Sequence, residues 1–476
     1  MRYSPLITDL YELTMLAGYV SKGMHQTPAV FDLFYRKNPF RGGYAVFAGL
    51  DTALSYLENL RFAEEELAYL QRLDIFLPSF FDYLREFRFR GKVTAVPEGT
   101  VVFEREPLLT VEGTLSEAQF VETALLNIVN FQTLVATKAA RVSHAAGTAR
   151  VIEFGLRRAH GPDGGISVAR AAYVGGVRST SNVMAGMQFG IPVAGTHAHS
   201  WIMSFPDELS AFRAYAETFP DKCILLVDTY DTLKSGVPNA ITVARELRSR
   251  GHNLWGIRLD SGDLAWLSKT ARRMLDDAGF PEVQIVASNE IDEYVIESIV
   301  REGGKVDTYG VGTKLATCMG DGGGALGGVY KLVRIGDQPR LKTTSEAAKA
   351  TLPDRKRLLR AVAPDGSFIQ DVITLEVEMG GPGEMVYNPV NDAEYTYIPA
   401  GARLVDLRKV VMREGIRAEE ASDDLNEMAE RCKRELQLLP EGCLRFANPH
   451  IYKVSISGKL NQLRRELLEK VRRGTS

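Results

Sequence analysis

The run Gly195-Thr196-His197-Ala198-His199-Ser200 puts two imidazoles and two hydroxyls into one short stretch. In an extended segment, side chains two positions apart project to the same side, so His197 and His199 would share a face. An imidazole placed there works as a nucleophile or as an acid and base near neutral pH. As metal ligands the pair would want a carboxylate or a third histidine close by, which makes coordination the weaker reading. For His197 alone, a hydrogen bond to a buried backbone carbonyl explains the residue as well as any chemistry does.

A second run, Arg258-Leu259-Asp260-Ser261-Gly262-Asp263, combines a cation, two carboxylates, a hydroxyl and a glycine. An ionised carboxylate accepts sugar hydroxyls or holds magnesium, and a guanidinium grips a planar carboxylate with two parallel bonds. The set suits a polyol phosphate. Asp260 or Ser261 taken singly could equally cap a helix, a reading that leaves Arg258 unexplained. Gly310-Val311-Gly312-Thr313 has the make-up of a phosphate cradle, with glycines that let the backbone approach and a hydroxyl from Thr313. A plain glycine turn competes with it. Phe154 beside Arg157 and Arg158, and Tyr11 in Thr8-Asp9-Leu10-Tyr11, supply the aromatic faces and cations that suit an aromatic acid. Core packing is the competing account of both rings.

Most of these runs end an apolar stretch. Short apolar segments begin at Val151, Ile191, Ile224, Leu254, Val283 and Thr308, each finishing in polar or glycine-rich residues and followed by helix-like sequence. That repetition predicts parallel strands joined by helices, with the chemistry gathered at the strands' carboxyl ends. Before it, residues 10–90 read as interrupted helix, residues 92–115 as a small β sheet, and Glu117 to about Ser143 as a helix leading onward. After Lys331 the regularity fades through Lys342-Thr343-Thr344-Ser345 and the basic run Arg355-Lys356-Arg357, and β texture returns at Val372-Ile373-Thr374-Leu375. Leu460, Leu463, Leu467, Leu468 and Val471 mark a docked terminal helix. The expected division is 1–125, 126–340 and 341–476, the last segment completing the first domain.

Length and balance agree with this. A chain of 476 residues exceeds what one core usually serves. Its 57 basic and 60 acidic side chains leave a net charge of −3, which gives no field for nucleic acid or an anionic membrane. The cysteines, Cys223, Cys318, Cys432 and Cys443, form no CxxC pair and read as reduced thiols. With no signal-like or membrane-spanning apolar run, a cytoplasmic protein is expected.

Together these runs resemble the nicotinate phosphoribosyltransferases. The likeness rests on Thr8 to Met15, Glu153 to Arg158 with Gly161-Pro162-Asp163-Gly164, Ser181 to Gly186, Gly195 to Ser200, Arg258 to Asp263 and Gly310 to Thr313. It implies an α/β fold with an incomplete, irregular barrel, beside a second α+β domain formed by the N-terminal and C-terminal segments, in a homodimer with shared sites. It implies that Tyr11, Phe154, Arg157, Ser181, Thr196 and Arg258 hold nicotinate, Tyr11 in the partner's site. Asp228, Asp260, Asp263, Asn289, Gly310, Gly312 and Thr313 would hold phosphoribosyl diphosphate, with Mg2+ on the diphosphate. His199 would be phosphorylated by ATP, and it joins Arg258 and Asp260 as the catalytic set. Nicotinamide-using relatives carry an aspartate where this chain has Ser181, and its absence favours the acid over the amide. His197 departs from the small or apolar residue expected at its position.

Two other activities compete. An aldolase-type barrel enzyme would need a Schiff-base lysine at a strand tip, and only Lys314 comes near one. A nucleotide sensor without turnover would have no need to keep His199, Arg258, Asp260 and Asp263 together.

Overall fold

In the computed structural model, residues 3–343, 351–421 and 423–473 are described. The chain divides into two compact units, residues 138–324 and residues 1–137 with 325–476. Both bounds differ from those drawn on the sequence, at 125/126 and 340/341. The first division falls inside the continuous helix Glu122–Ala146, where no loop marks it. The second falls before the strand Gly328–Ile335, which pairs antiparallel with Pro28–Tyr35.

The central unit is built on a six-stranded sheet. In spatial order its strands are Ser179–Thr180, Arg150–Glu153, Thr308–Val311, Gln284–Ser288, Gly256–Leu259 and Ile224–Leu226, and every neighbouring pair is parallel. Helices such as Val237–Ser249, Leu264–Asp277 and Glu293–Arg301 intervene, as parallel connections require. Leu225, Ile257, Leu259, Ile285 and Val311 are fully buried, so the strands read as apolar runs covered on both faces. One expected strand is corrected. Residues 191–194 form no strand but a single parallel bridge, Val193 to Thr180, and the sheet's sixth strand is instead the short Ser179–Thr180. A two-residue strand is too short to leave a periodic signal. The sheet is not closed by strand pairing: Ile224–Leu226 pairs on one side only.

The other unit draws its sheets from both ends of the chain. Its seven-stranded sheet contains Pro28–Tyr35, Leu109–Thr114 and Lys92–Ala95 next to Gly328–Ile335 and Lys409–Arg413. Its six-stranded sheet is made wholly from residues 356–457 and includes Phe368–Leu375. Reading residues 10–90 as interrupted helix misses Pro28–Tyr35. That strand is buried on both faces from Ala29 to Leu33, which erases the period-two alternation that would announce it. The basic run is also ordered: Lys356 opens the strand Lys356–Val362 and pairs with buried Asp32 at 2.8 Å. Arg355 and Arg357 flank it on Glu112 at 2.7 Å and Asp406 at 2.9 Å. Of the irregular segment read at 342–345, residues 344 and 345 lie outside the described residues. The last helix runs Gly458–Arg472, with Leu460 buried and Val471 exposed. Among the described residues no helix is long and apolar enough to cross a membrane.

Candidate active site

The polar residues of the central unit converge where its strands end. Arg258, third residue of Gly256–Leu259, is the hub. Its Nε donates to Ser288 Oγ at 2.8 Å, its Nη1 to Thr196 Oγ1 at 2.9 Å and its Nη2 to Asp260 Oδ1 at 2.8 Å. The guanidinium also lies 5.6 Å from the Phe154 ring centroid, within the range of cation–π attraction. Three of the five guanidinium donors are thus used to fix its plane. Asp260 in turn accepts from Ser288. Burial pushes the Asp260 carboxyl up, but the charge of Arg258 and the hydrogen bonds from Ser288 and Arg258 outweigh it and hold the group below its ordinary range. Asp260 is therefore an anion at neutral pH.

The next strand tip is locked to this one. Asp228, two residues past Ile224–Leu226, accepts through Oδ2 from the backbone N–H of Asp260 at 2.8 Å and from Ser261 Oγ at 2.6 Å. Its Oδ1 is buried and has no hydrogen-bond partner among the described residues. A buried carboxylate oxygen left open is costly unless something fills it.

His199 begins the helix His199–Met203. Its Nδ1 lies 3.1 Å from Thr229 Oγ1, and its Nε2 lies 3.6 Å from Asp260 Oδ2. The ring is 41% exposed, so it is held from one side and open on the other. His197 is buried. Its Nε2 accepts the backbone N–H of Leu226 at 3.3 Å, and its Nδ1 faces the Ala198 carbonyl at 3.5 Å. Burial, followed by Arg258 and His199 against the opposing Ala198 carbonyl, pushes its pKa down to about 4, and the ring is neutral. The backbone partner anticipated for His197 is present, though the closer bond is to an N–H.

The remaining expected residues are placed less evenly. Phe154 follows Arg150–Glu153 and packs against Gly310, where a Cβ would meet the ring at 2.4 Å. Gly310 lies buried within Thr308–Val311, so its lack of a side chain is explained by that ring. Gly312 precedes the helix Thr313–Ala316, and Thr313 Oγ1 donates to Glu290 Oε1 at 3.0 Å. Asn289 and Glu290 have φ of 91° and 43°, a left-handed pair uncommon for such residues that turns the chain sharply at the tip of Gln284–Ser288. Asp263 caps the helix Leu264–Asp277 through Trp266 N at 3.0 Å; the cap anticipated at Asp260 or Ser261 falls there instead. Ser181 follows Ser179–Thr180 with its N–H on the Glu153 carbonyl at 2.9 Å. Arg157 is exposed on the turn Leu156–Arg158 and takes no part in the Arg258 network. Tyr11 lies in the other unit, exposed on the helix Leu10–Ser21. Sequence reading passed over Ser288 and Thr229. Both sit one residue beside a noted position, and their hydroxyls orient Arg258 and His199.

Comparison with known proteins gives the following likenesses. Three family models match: the nicotinate phosphoribosyltransferase N-terminal domain at residues 6–130, the nicotinate phosphoribosyltransferase family at 149–361, and its C-terminal domain at 355–464. A nicotinate phosphoribosyltransferase of Bacillus subtilis is 44% identical over 459 residues, covering 95% of this chain and 92% of that protein. The human nicotinate phosphoribosyltransferase is 35% identical, covering 96% of each. The crystal structure of human nicotinic acid phosphoribosyltransferase superposes with a TM-score of 0.86 at 34% identity, covering 97% of this chain and 99% of that one.

Proposed function

This chain belongs to the nicotinate phosphoribosyltransferase family, and from that premise we propose that nicotinate and the phosphoribosyl group meet at the strand tips around Arg258. The reaction condenses nicotinate with 5-phosphoribosyl 1-diphosphate, giving nicotinate mononucleotide and diphosphate, a salvage step toward NAD.

One observation carries the placement. A guanidinium pinned by Ser288, Thr196 and Asp260 adjoins a carboxylate, Asp228, whose buried Oδ1 is open. The first suits the planar carboxylate of nicotinate, with Phe154 and Thr196 beside it. The second suits a ribose hydroxyl. As diphosphate departs, positive charge grows at ribose C1 and the pyridine nitrogen attacks it. That step needs no protein nucleophile, so catalysis falls to positioning and to fixed charges such as ionised Asp260. Asp263, Asn289, Gly310, Gly312 and Thr313 complete the proposed phosphoribosyl diphosphate site.

Asp228 and Asp260 offer the oxygen donors magnesium prefers, but among the described residues no three His, Cys, Asp or Glu side chains are grouped to hold a metal. Mg2+ is therefore proposed to ride on the diphosphate, where it would neutralise the leaving charge. ATP is proposed as a co-substrate. An imidazole nitrogen of His199 attacks the γ-phosphorus, the bond to ADP breaks, and later hydrolysis returns phosphate. Support comes from a ring held by Thr229 yet 41% exposed. A homodimer in which Tyr11 serves the partner's site completes the proposal, together with a cytoplasmic location.

The test is an assay of the purified protein with phosphoribosyl diphosphate and magnesium, with and without ATP, on nicotinate and on nicotinamide. Nicotinate is the expected substrate. Equal or better use of nicotinamide would overturn the placement of a carboxylate on Arg258.

A further inference from the structure

The sheet of the central unit is open between its two outer strands. Ser179–Thr180 borders residues 192–194, where Thr180 N–H donates to the Pro192 carbonyl at 3.1 Å and Ala194 N–H to the Thr180 carbonyl at 3.0 Å. On the far side Ile224–Leu226 pairs only with Gly256–Leu259. Residues 192–199 therefore leave one outer strand and end against the other.

Backbone alternation sets what they find there. Val227 donates its N–H inward, to the Arg258 carbonyl at 3.1 Å. In a parallel ladder the preceding N–H points to the opposite side, so the N–H of Leu226 faces the open seam. Leu226 is fully buried, and leaving a buried N–H without an acceptor is costly. Among the described residues no backbone carbonyl of a neighbouring strand meets it. The acceptor is the Nε2 of His197 at 3.3 Å, an arrangement that requires the proton on Nδ1, the nitrogen facing the Ala198 carbonyl. The ring stands edge-on to Tyr215, centroids 4.6 Å apart at 63°. The titratable groups facing it are Arg258 and His199.

We propose that His197 is a positioning residue: its imidazole stands in for the missing strand-to-strand hydrogen bond at the open seam and holds His199 in register with Asp228 and Thr229. The two histidines then act as paired ties across one seam, the first to the backbone of Leu226 and the second, two residues on, to Thr229 Oγ1 at 3.1 Å. Ala198 between them is extended, so side chains two positions apart leave the chain on the same side as it enters the helix His199–Met203. The kinetic part of this inference rests on the function proposed above; the hydrogen bond itself does not.

The experiment compares His197→Leu, which keeps an apolar filler without an acceptor, with His197→Gln, which keeps a neutral acceptor. Hydrogen exchange in peptides covering residues 224–229 reads the Leu226 amide. Steady-state kinetics read kcat/KM for phosphoribosyl diphosphate and the stimulation by ATP. The Leu variant should speed exchange of that amide and lower kcat/KM by about tenfold or more, with the Gln variant within about threefold of the unmodified protein on both readouts. A residue that only fills space predicts the reverse order, because leucine buries at less cost than glutamine. The inference is overturned by Leu226 exchanging as fast in the unmodified protein as in the Leu variant, or by the Gln variant being as impaired as the Leu variant. If the unmodified protein transfers nothing to nicotinate, the proposed function fails while exchange still decides the tie.

Discussion

One carboxylate oxygen of Asp228 accepts the backbone N–H of Asp260 at 2.8 Å, while its other oxygen is buried with no hydrogen-bond partner among the described residues. One half of the side chain joins two adjacent strand tips, and the other half is left for a ligand. Asp228→Asn keeps an oxygen for the Asp260 N–H and removes the charge. KM for phosphoribosyl diphosphate should rise by about tenfold or more, and the thermal midpoint should change little. Substrate titration and a thermal melt check this; a large fall in the midpoint with unchanged KM would assign Asp228 to structure alone.

Arg258 donates through three nitrogens to three different residues, Ser288, Thr196 and Asp260. A lysine ammonium is a point charge that cannot reproduce the planar fork. Arg258→Lys should lower kcat/KM for nicotinate by about a hundredfold and narrow its preference over nicotinamide. Competition between the two substrates measures it, and an unaltered preference would move carboxylate recognition elsewhere.

His199→Asn removes the ring nitrogen proposed to carry phosphate while leaving Arg258, Asp260 and Asp228 in place. Acid-labile phosphate derived from ATP should vanish from the protein, stimulation by ATP should be lost, and slow transfer to nicotinate should persist. Labelling with radioactive ATP, followed by acid treatment, reads the first point. Phosphate still present on the variant would contradict the assignment.

Glu12 is buried, with Oε2 accepting from Gln119 at 3.0 Å and Oε1 without a hydrogen-bond partner among the described residues. Burial raises its carboxyl from the ordinary 4.5 to about 7, with Glu122 and Asp9 adding to the shift and hydrogen bonds from Gln119 and Tyr11 opposing it. A folded pKa raised above the unfolded one means the native state binds more protons between pH 4.5 and 7. This contribution is fully present below about 4.5 and is lost as pH rises through about 7. Glu12→Gln should therefore gain stability relative to the unmodified protein on going from pH 5 to pH 8, by on the order of 1–3 kcal/mol. Urea unfolding at the two pH values tests the sign.

Much of the site was legible because its residues cluster in runs at strand ends. Arg258 and Asp260 share one run, Thr196 and His199 another, and βα repetition says that such tips come together. Less was legible where the deciding partner was backbone or a single neighbouring hydroxyl. Ser288 and Thr229 stand in ordinary strand-end sequence, and nothing in their type announces that they orient a guanidinium and an imidazole. Gly310, proposed for the phosphoribosyl diphosphate site, also makes room for the Phe154 ring by its missing Cβ, a packing role that its run does not announce.

The sequence by itself determined the family, the alternation of strand and helix, and the residue types gathered at the strand tips, since these follow from periodicity and from motifs local in the chain. Only the tertiary structure decided which tips touch and through which atoms. It paired Arg258 with Thr196 across 62 positions, left one oxygen of Asp228 open, and gave His197 a partner that is not a side chain at all. The physical reason is that residue type encodes what a group can donate or accept. Whether a buried donor such as the Leu226 N–H finds its acceptor depends on where the sheet stops.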